Sequence, residues 1–432
     1  MTSCYGNRGL FSRMAQIKKV IVIGGGASGM MAAGQAATMG ARVDLLEKMT
    51  RPGNKIAISG QGRCNLTNDS AIAEFIDHFN RDGRFLHQSF SRFFAPQLIQ
   101  FFHEIGMPTV TERGNRVFPA GNQASDVVAT LQRWLTICGV TLYTKSRVNR
   151  LITENGRITG VAIATAKHER ILNCDAAILA TGGASYPATG SSGEGYSLAQ
   201  DAGHSITALR PALVPLLVNN SNLYSLAGLD LKNVGVRVYI NGKRKKADFG
   251  EVSFTRFGIG GPVILTNSLF IVDALRAGKK AVIALDLKPA LDERKLDNRL
   301  LRDFEKRATE NLSSVLRGLL PHKLVAAALH FCSLDGDTPA GRVDSRQRTQ
   351  LRTWLKDFRL PITGHRPLGE AIVTAGGIKV KEINPHTMES KKTSGLFITG
   401  ELLDIHGDTG GYNLQAAFST GWIAGRSAAQ AD

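Results

Sequence analysis

The sequence predicts an α/β fold in which both chain ends build one parallel sheet, with a β-rich and helical domain inserted between them. Three observations predict it. Residues 18–48 run strand, glycine turn, helix, strand, the order of a βαβ unit. Short apolar runs ending in glycine recur at 174–183 and 395–401, far apart in the chain. Between them the character changes, first to short β-like runs and then to basic helical stretches.

The first 16 residues, MTSCYGNRGLFSRMAQ, are basic and acid-free but lack the amphipathic pattern of a transit peptide, so they read as an extension ahead of the fold. Val20–Ile23 is then a β-branched run suited to a buried parallel strand. Gly24, Gly26 and Gly29 follow in the spacing GxGxxG, with Ala27 and Ser28 inside it. The first glycine permits the turn, the second lets backbone approach a pyrophosphate, and the third lets helix and strand pack closely. The second strand, ARVDLLEK, ends at Glu47, 18 residues after Gly29, where a carboxylate can take ribose hydroxyls; Lys48 follows it. Glu47 argues against a 2′-phosphate there, since like charges repel. Together these mark a Rossmann-like dinucleotide site.

Placement selects the dinucleotide. CDAAILATGG (174–183) and GLFITGE (395–401) are further strands of the same sheet, and DTGGYNLQAAFSTGWIAG is a glycine turn entering a C-terminal helix. An NAD domain is usually one contiguous half-chain, whereas a chain end closing over the cofactor favours FAD. Only one strand-led fingerprint occurs, so no dedicated NAD(P)H domain is expected: either a reductant such as NAD(P)H visits the flavin transiently, or electrons come from another source. No CxxC pair is present, which argues against a disulfide reductase.

Residues 53–68, GNKIAISGQGRCNLTN, form a long polar, glycine-rich loop where connections are ordinarily short. It reads as the flavin-facing wall: Gly62 permits close approach, and Arg63 and Asn65 supply hydrogen-bond donors. Cys64, beside Arg63 and with Lys55 nearby, is the candidate catalytic residue, a thiol able to deliver a proton while hydride arrives on the neighbouring carbon. The competing reading is a small side chain that only packs. His406, His365 and Tyr186 are alternative acids. Gly410, Gly411, Tyr412 and Asn413, with Leu414, lead into the C-terminal helix, whose N-terminus suits the anionic end of a reduced flavin.

GGGASG (24–29), the 53–68 loop, ATGGASYPATGSSGEGY (180–196), FTRFGIGGPVIL (254–265), AIVTAGGI (371–378) and GELLDIHGDTGGYNLQAAFSTG (400–421) together resemble the YhiN/BaiN-like, aminoacetone-oxidase-like flavoproteins. The resemblance implies a GR2-type FAD domain made by both chain ends. It also implies that Glu401, beside Gly400, contacts the ribityl chain, and that Thr374, Gly376 and Gly377 lie against the flavin. Thr181, Gly182 and Gly183 join the expected cofactor contacts. Two departures stand out: Gln61 replaces a common glycine, and Arg256 a frequent histidine.

The expected organisation is an extension (1–16), the first part of the FAD domain (17–205), an insert (206–362; β-rich to 290, helical after) and the second part of the FAD domain (363–432). Five scattered cysteines without metal-ligand spacing suit a reduced, cytoplasmic protein with no metal site, and no apolar run reaches membrane-spanning length. Net charge is +17, of which residues 205–400 carry +13. Such an excess points to a polyanion such as ribosomal RNA, or to an anionic small substrate. The expected chemistry is FAD-dependent reduction of a conjugated double bond, with a uracil in ribosomal RNA (dihydrouridine synthesis) favoured over a small enone. The alternatives are an oxidase of a small aminoketone and a flavoprotein that binds RNA or protein without turnover. The sequence leaves the oligomeric state open.

Overall fold

The computed structural model describes residues 17–164, 169–219 and 221–431; the extension expected at 1–16 lies outside them. The central element is a five-stranded parallel sheet in the order Leu396–Ile398, Ala176–Leu179, Lys19–Ile23, Arg42–Leu46, Thr141–Tyr143. Its first four strands in that order are buried on both faces, which is why they read as nearly continuous apolar runs, while the edge strand Thr141–Tyr143 is largely exposed. Val20 and Val22 point into one core with the helices Ala27–Thr38, Ala124–Ile137 and Tyr412–Gln430; Ile21 and Ile23 point into another, under a three-stranded antiparallel sheet spanning Val148–Asn173.

The chain end is held by backbone-to-backbone contact between Ala27–Thr38 and Tyr412–Gln430. A Cβ on Gly421 would sit 2.3 Å from the Ser28 carbonyl oxygen, and one on Gly425 2.2 Å from that of Ala32. The two glycines are one helical turn apart, as are Ser28 and Ala32, so one ridge of small residues meets another.

The insert carries a seven-stranded antiparallel sheet that begins at Leu216–Leu217 and ends at Gly364–His365. The β-like runs foreseen there are strands: VRVYI lies in Asp230–Ile240, GEVSFT in Lys243–Thr255 and AVIALD is Ala281–Asp286. The helical part follows as Glu293–Lys306, Leu312–Leu316, His322–Phe331 and Ser345–Lys356, with the break at Pro321. Asp292 caps the first by accepting from Lys295 N–H, and Asp344 and Gln347 form a capping box on the last. One element was not foreseen: Pro262–Arg276, inside the β-rich half, is a helix. Its apolar sequence reads equally as a strand; proline at the first position after Gly261 is the start signal. The strand Ile206–Ala212 pairs with Val373–Ile378 rather than with the insert sheet, making a two-stranded neck. Among the described residues no helix is long and apolar enough to cross a membrane.

Candidate active site

A cavity of about 840 Å³ opens along the C-terminal ends of the parallel strands and runs under the insert. That size is within the range of small-molecule and cofactor sites, roughly 300–1,000 Å³. At one end lies the glycine turn. Gly24 (φ 104°) packs its Cα against the Ala180 carbonyl, where a Cβ would come within 2.5 Å. Gly26 faces open space, with no atom within 4 Å of a Cβ built there, so a ligand can reach its backbone. Gly29 does not line the cavity: it lets the helix close onto the Gly24 carbonyl oxygen, which a Cβ at Gly29 would meet at 1.8 Å. Glu47 ends its strand at the cavity wall and braces the turn, accepting from Gly25 N–H and Met49 N–H, each at 2.8 Å.

The middle of the cavity is crossed by a network from both halves of the chain. Lys55 Nζ donates to Glu401 Oε2 and to Ser185 Oγ, each at 2.6 Å. Glu401 Oε1 accepts from Ser185 Oγ (3.0 Å) and from Thr374 N–H (2.9 Å). Thr374, Gly376 and Gly377 stand one layer behind the wall, which is formed instead by Ile372 and Val373. The two glycines serve chain crossings, since Cβ atoms there would meet Ala208 O at 2.4 Å and Leu402 O at 2.6 Å. Gly183 likewise makes room for Thr374 and Glu401 behind the wall. Thr181, Gly182 and Gly400 are on it, with Ala27, Ser28 and Lys48.

The stretch after Gly53 is not the open loop its composition suggests: it starts as a short helix, Asn54–Ile58, and continues in a 3-10 turn over Ser59–Gly62. Gly60, Gln61, Gly62 and Cys64 all have left-handed backbone, with φ of 56°, 57°, 85° and 57°. Arg63 and Asn65 face the cavity. Arg63 lies over the Phe118 ring (4.2 Å), is paired with Glu112 and donates from its terminal nitrogen to Asn122 at 2.7 Å. Gly62 is exposed and off the wall. Cys64 points the other way, into the core around Leu66 and Leu98, and does not line the cavity. Burial pushes its thiol up to about 12, outweighing a hydrogen bond with Ser59. The nearby cations do not offset this: the side chains of Arg63 and Lys55 are spent on Glu112 and Glu401.

Of the alternative acids, only Tyr186 lines the cavity, and its backbone is left-handed (φ 53°), a costly state for an aromatic residue. His365 sits in the insert sheet against Leu216, and His406 is held below its ordinary value by burial. At the far end the helix Tyr412–Gln430 begins, with Gly410, Gly411, Asn413 and Leu414 on the wall. Asn413 fixes the approach by bonding both the N–H and the carbonyl of Gly407, at 2.8 and 2.9 Å. Tyr412 turns away, its ring stacked on His78 at 4.2 Å.

Sequence reading missed the insert's share. Glu251, Ser253, Gly261, Pro262 and Leu265 close the cavity from above. The alternation in GEVSFT held a signal, because the residues between its buried Val252 and Phe254 must face outward. Arg147 and Glu194, paired at 3.3 Å near the Glu47 end, carried none.

These residues fit FAD. Besides the open backbone at Gly26, two buried polar atoms of wall residues, Asn65 Oδ1 and Thr181 Oγ1, have no partner among the described residues. Buried polar atoms are seldom left so unless a ligand or water meets them. The Glu47 carboxylate suits a ribose, and the first-turn N–H groups of Ala27–Thr38 suit a pyrophosphate.

Comparison with known proteins agrees. The chain is 32% identical to a 3-dehydro-bile acid delta(4,6)-reductase of Clostridium scindens over 416 residues, covering 96% of this chain and 100% of the relative. It is 28% identical to a ribosomal RNA dihydrouridine synthase of Escherichia coli, covering 93% and 96%. Among solved structures, a 3-ketosteroid delta1-dehydrogenase from Sterolibacterium denitrificans shares the fold at 13% identity (TM-score 0.54, 96% of this chain and 100% of that one). A quinol-fumarate reductase does so at 17% (TM-score 0.52, 96% and 72%). Residues 18–427 match the HI0933-like protein Rossmann domain, so the chain belongs to the HI0933-like family and is a FAD-dependent oxidoreductase.

Proposed function

We propose that the chain reduces a carbon–carbon double bond conjugated to a carbonyl, with a uracil in ribosomal RNA as the favoured substrate class. The carrying observation is that two end-to-end relatives are named for reactions of this one kind, on a bile acid and on a uridine. Reduction of an enone of this kind adds hydride to the carbon β to the carbonyl and a proton to the α carbon. When bound, FAD supplies the hydride. The chain's own residues do the rest. Glu47 and the Gly24–Gly26 turn hold the nucleotide end, and the N-terminus of Tyr412–Gln430 favours negative charge beside it. Lys55 and Glu401 hold the two halves of the wall in register. Tyr186 is the phenol on the wall that we assign as proton donor in place of Cys64. The reductant, NAD(P)H, visits the open cavity.

The charge of the chain favours RNA, because neutralising phosphates with Lys and Arg supplies most non-specific affinity. A small apolar enone is the second reading. It is favoured by the higher identity to the bile acid reductase and by wall residues Ile58 and Ile372, 48% and 38% exposed. Mass spectrometry of ribosomal RNA nucleosides from a strain lacking the gene tests the choice. Loss of dihydrouridine supports the first reading. Unchanged dihydrouridine, with turnover of a 3-keto-Δ4 steroid by the purified enzyme, supports the second. Peroxide release from aminoacetone without NAD(P)H would sink both in favour of an oxidase.

A further inference from the structure

One strand joins the cavity to a strongly basic cluster on the surface. In Lys243–Thr255, Ser253 and Glu251 line the cavity, while Val252 and Phe254 are buried behind them. The next residue on the open face is Phe249, whose side chain is 63% exposed. Its cross-strand neighbour is Gly235, which offers no side chain to cover the ring. Beyond it the strand ends in a hairpin tip carrying Lys243, Arg244, Lys245 and Lys246, all exposed. Lys279 and Lys280 join this cluster, because Lys280 N–H donates to Asn241 Oδ1 and Asn241 N–H to the Lys280 carbonyl, each at 2.9 Å. None of the six makes an ion pair with a carboxylate among the described residues. The acid on this stretch, Asp248, is engaged by Asn267 Nδ2 at 2.8 Å. Lys246 alone has another partner, the Phe270 ring at 5.2 Å.

We propose that this open strand face leads single-stranded RNA from the hairpin tip into the cavity, the six cations around the tip, on both faces of the ribbon, holding phosphates and Phe249 stacking a base next to the one presented for reduction. The inference rests on the RNA reading above and adds a place to it. At a strand rise of about 3.3 Å per residue, Phe249 stands roughly 7 Å from Glu251, one nucleotide's reach, and the tip residues Lys246 to Lys243 roughly 23 to 33 Å from Ser253. A stacking platform beside a basic groove is the arrangement by which proteins hold single strands without reading their sequence.

The test uses the FAD-loaded enzyme and a fluorescein-labelled single-stranded oligouridylate, with anisotropy read across salt from about 50 to 200 mM. The variant Lys243→Gln/Arg244→Gln/Lys245→Gln/Lys246→Gln is expected to bind at least tenfold more weakly at the low-salt end. Its salt slope should flatten by up to about 2.8, some 0.7 for each phosphate no longer neutralised. Phe249→Ala, which removes no charge, is expected to bind roughly 5- to 100-fold more weakly with the slope unchanged. FAD content equal to wild type shows that each variant is folded. Wild-type affinity and slope in both variants would overturn the track while leaving the RNA reading standing. An unmodified enzyme with no salt-dependent binding would overturn both.

Discussion

Lys55 and Glu401 are 346 residues apart in sequence and meet at 2.6 Å on the cavity wall. Each side chain is mostly covered, at 27% and 19% exposure, and the pair joins the short helix Asn54–Ile58 after the second strand to the turn Gly400–Leu402 after the last. Lys55→Met leaves the Glu401 carboxylate with Ser185 and the Thr374 N–H but without its cation. The expected loss is about 1–2 kcal/mol of stability, between the limits for exposed and fully buried pairs. Urea unfolding of the FAD-free protein measures it, and the double change Lys55→Met/Glu401→Gln is expected to lose less than the two single changes summed.

The 53–68 loop yields two opposite expectations. Cys64→Ala should leave turnover within twofold while costing about 1 kcal/mol for a small buried side chain, because the thiol is packed behind the wall. A tenfold drop in turnover at unchanged FAD content would restore Cys64 to the chemistry. Gln61→Gly should stabilise by about 0.5–1 kcal/mol, since Gln61 is exposed and held at φ 57°. Thermal melts of the two variants beside the parent separate them.

Acid should loosen the segment that follows the neck. His204 is fully covered; its Nδ1–H donates to Glu382 at 3.0 Å and its Nε2 accepts the Ser390 hydroxyl at 2.8 Å. Burial holds His204 below its ordinary 6.5 even though the Glu382 carboxylate pulls the other way. Below pH 6.5 the unfolded chain therefore takes up a proton that native His204 refuses. This contribution to stability is complete above pH 6.5 and falls as pH drops toward the lowered native value. His406, also lowered by burial, adds a loss of the same sign from the same starting pH. Glu382 is held below its ordinary 4.5, against burial, by the Ser205 N–H and by His204, so its contribution is lost only below pH 4.5. Denaturation midpoints between pH 7.5 and 5 check the first two, and His204→Gln should flatten that slope.

The helix crossing gives the sharpest structural expectation. Gly425→Val would drive a side chain into the Ala32 carbonyl, and Gly421→Ala a methyl into that of Ser28. Overpacking of this kind costs about 1–3 kcal/mol or more. Because Ser28 opens the helix that follows the glycine turn, FAD affinity should fall with stability. Flavin fluorescence on dilution reports the released fraction. Tight FAD binding by Gly425→Val would mean that the two helices can part without harm.

Much of the fold is readable from the sequence because it is local. The strand, glycine turn and helix around Gly24–Gly29 follow from a residue-by-residue pattern, as does the acid closing the second strand at Glu47. Val236, Val238 and Ile240 alternate as a strand must. What is not readable depends on chain crossings. Glycine at 376 and 377 looks the same whether it admits a ligand or, as here, the backbone of another segment. The side on which Cys64 lies depends on the left-handed turns at 60–62, which amide-rich composition permits but does not dictate. The Pro262–Arg276 helix is apolar enough to pass for a strand, and only its tertiary cover settles it. The insert's contribution to the cavity depends on a neck made from two segments distant in sequence.

The close crossing of the first and last helices also bears on how the enzyme is made. The glycine turn leaves the ribosome about 380 residues ahead of Gly410, Gly411 and the helix that locks over Ser28. A nascent chain thus carries an open half-cradle through most of its synthesis. Cofactor capture becomes a late event that waits for the Gly421 and Gly425 crossing, and a retained flavin would certify that translation passed Gly425.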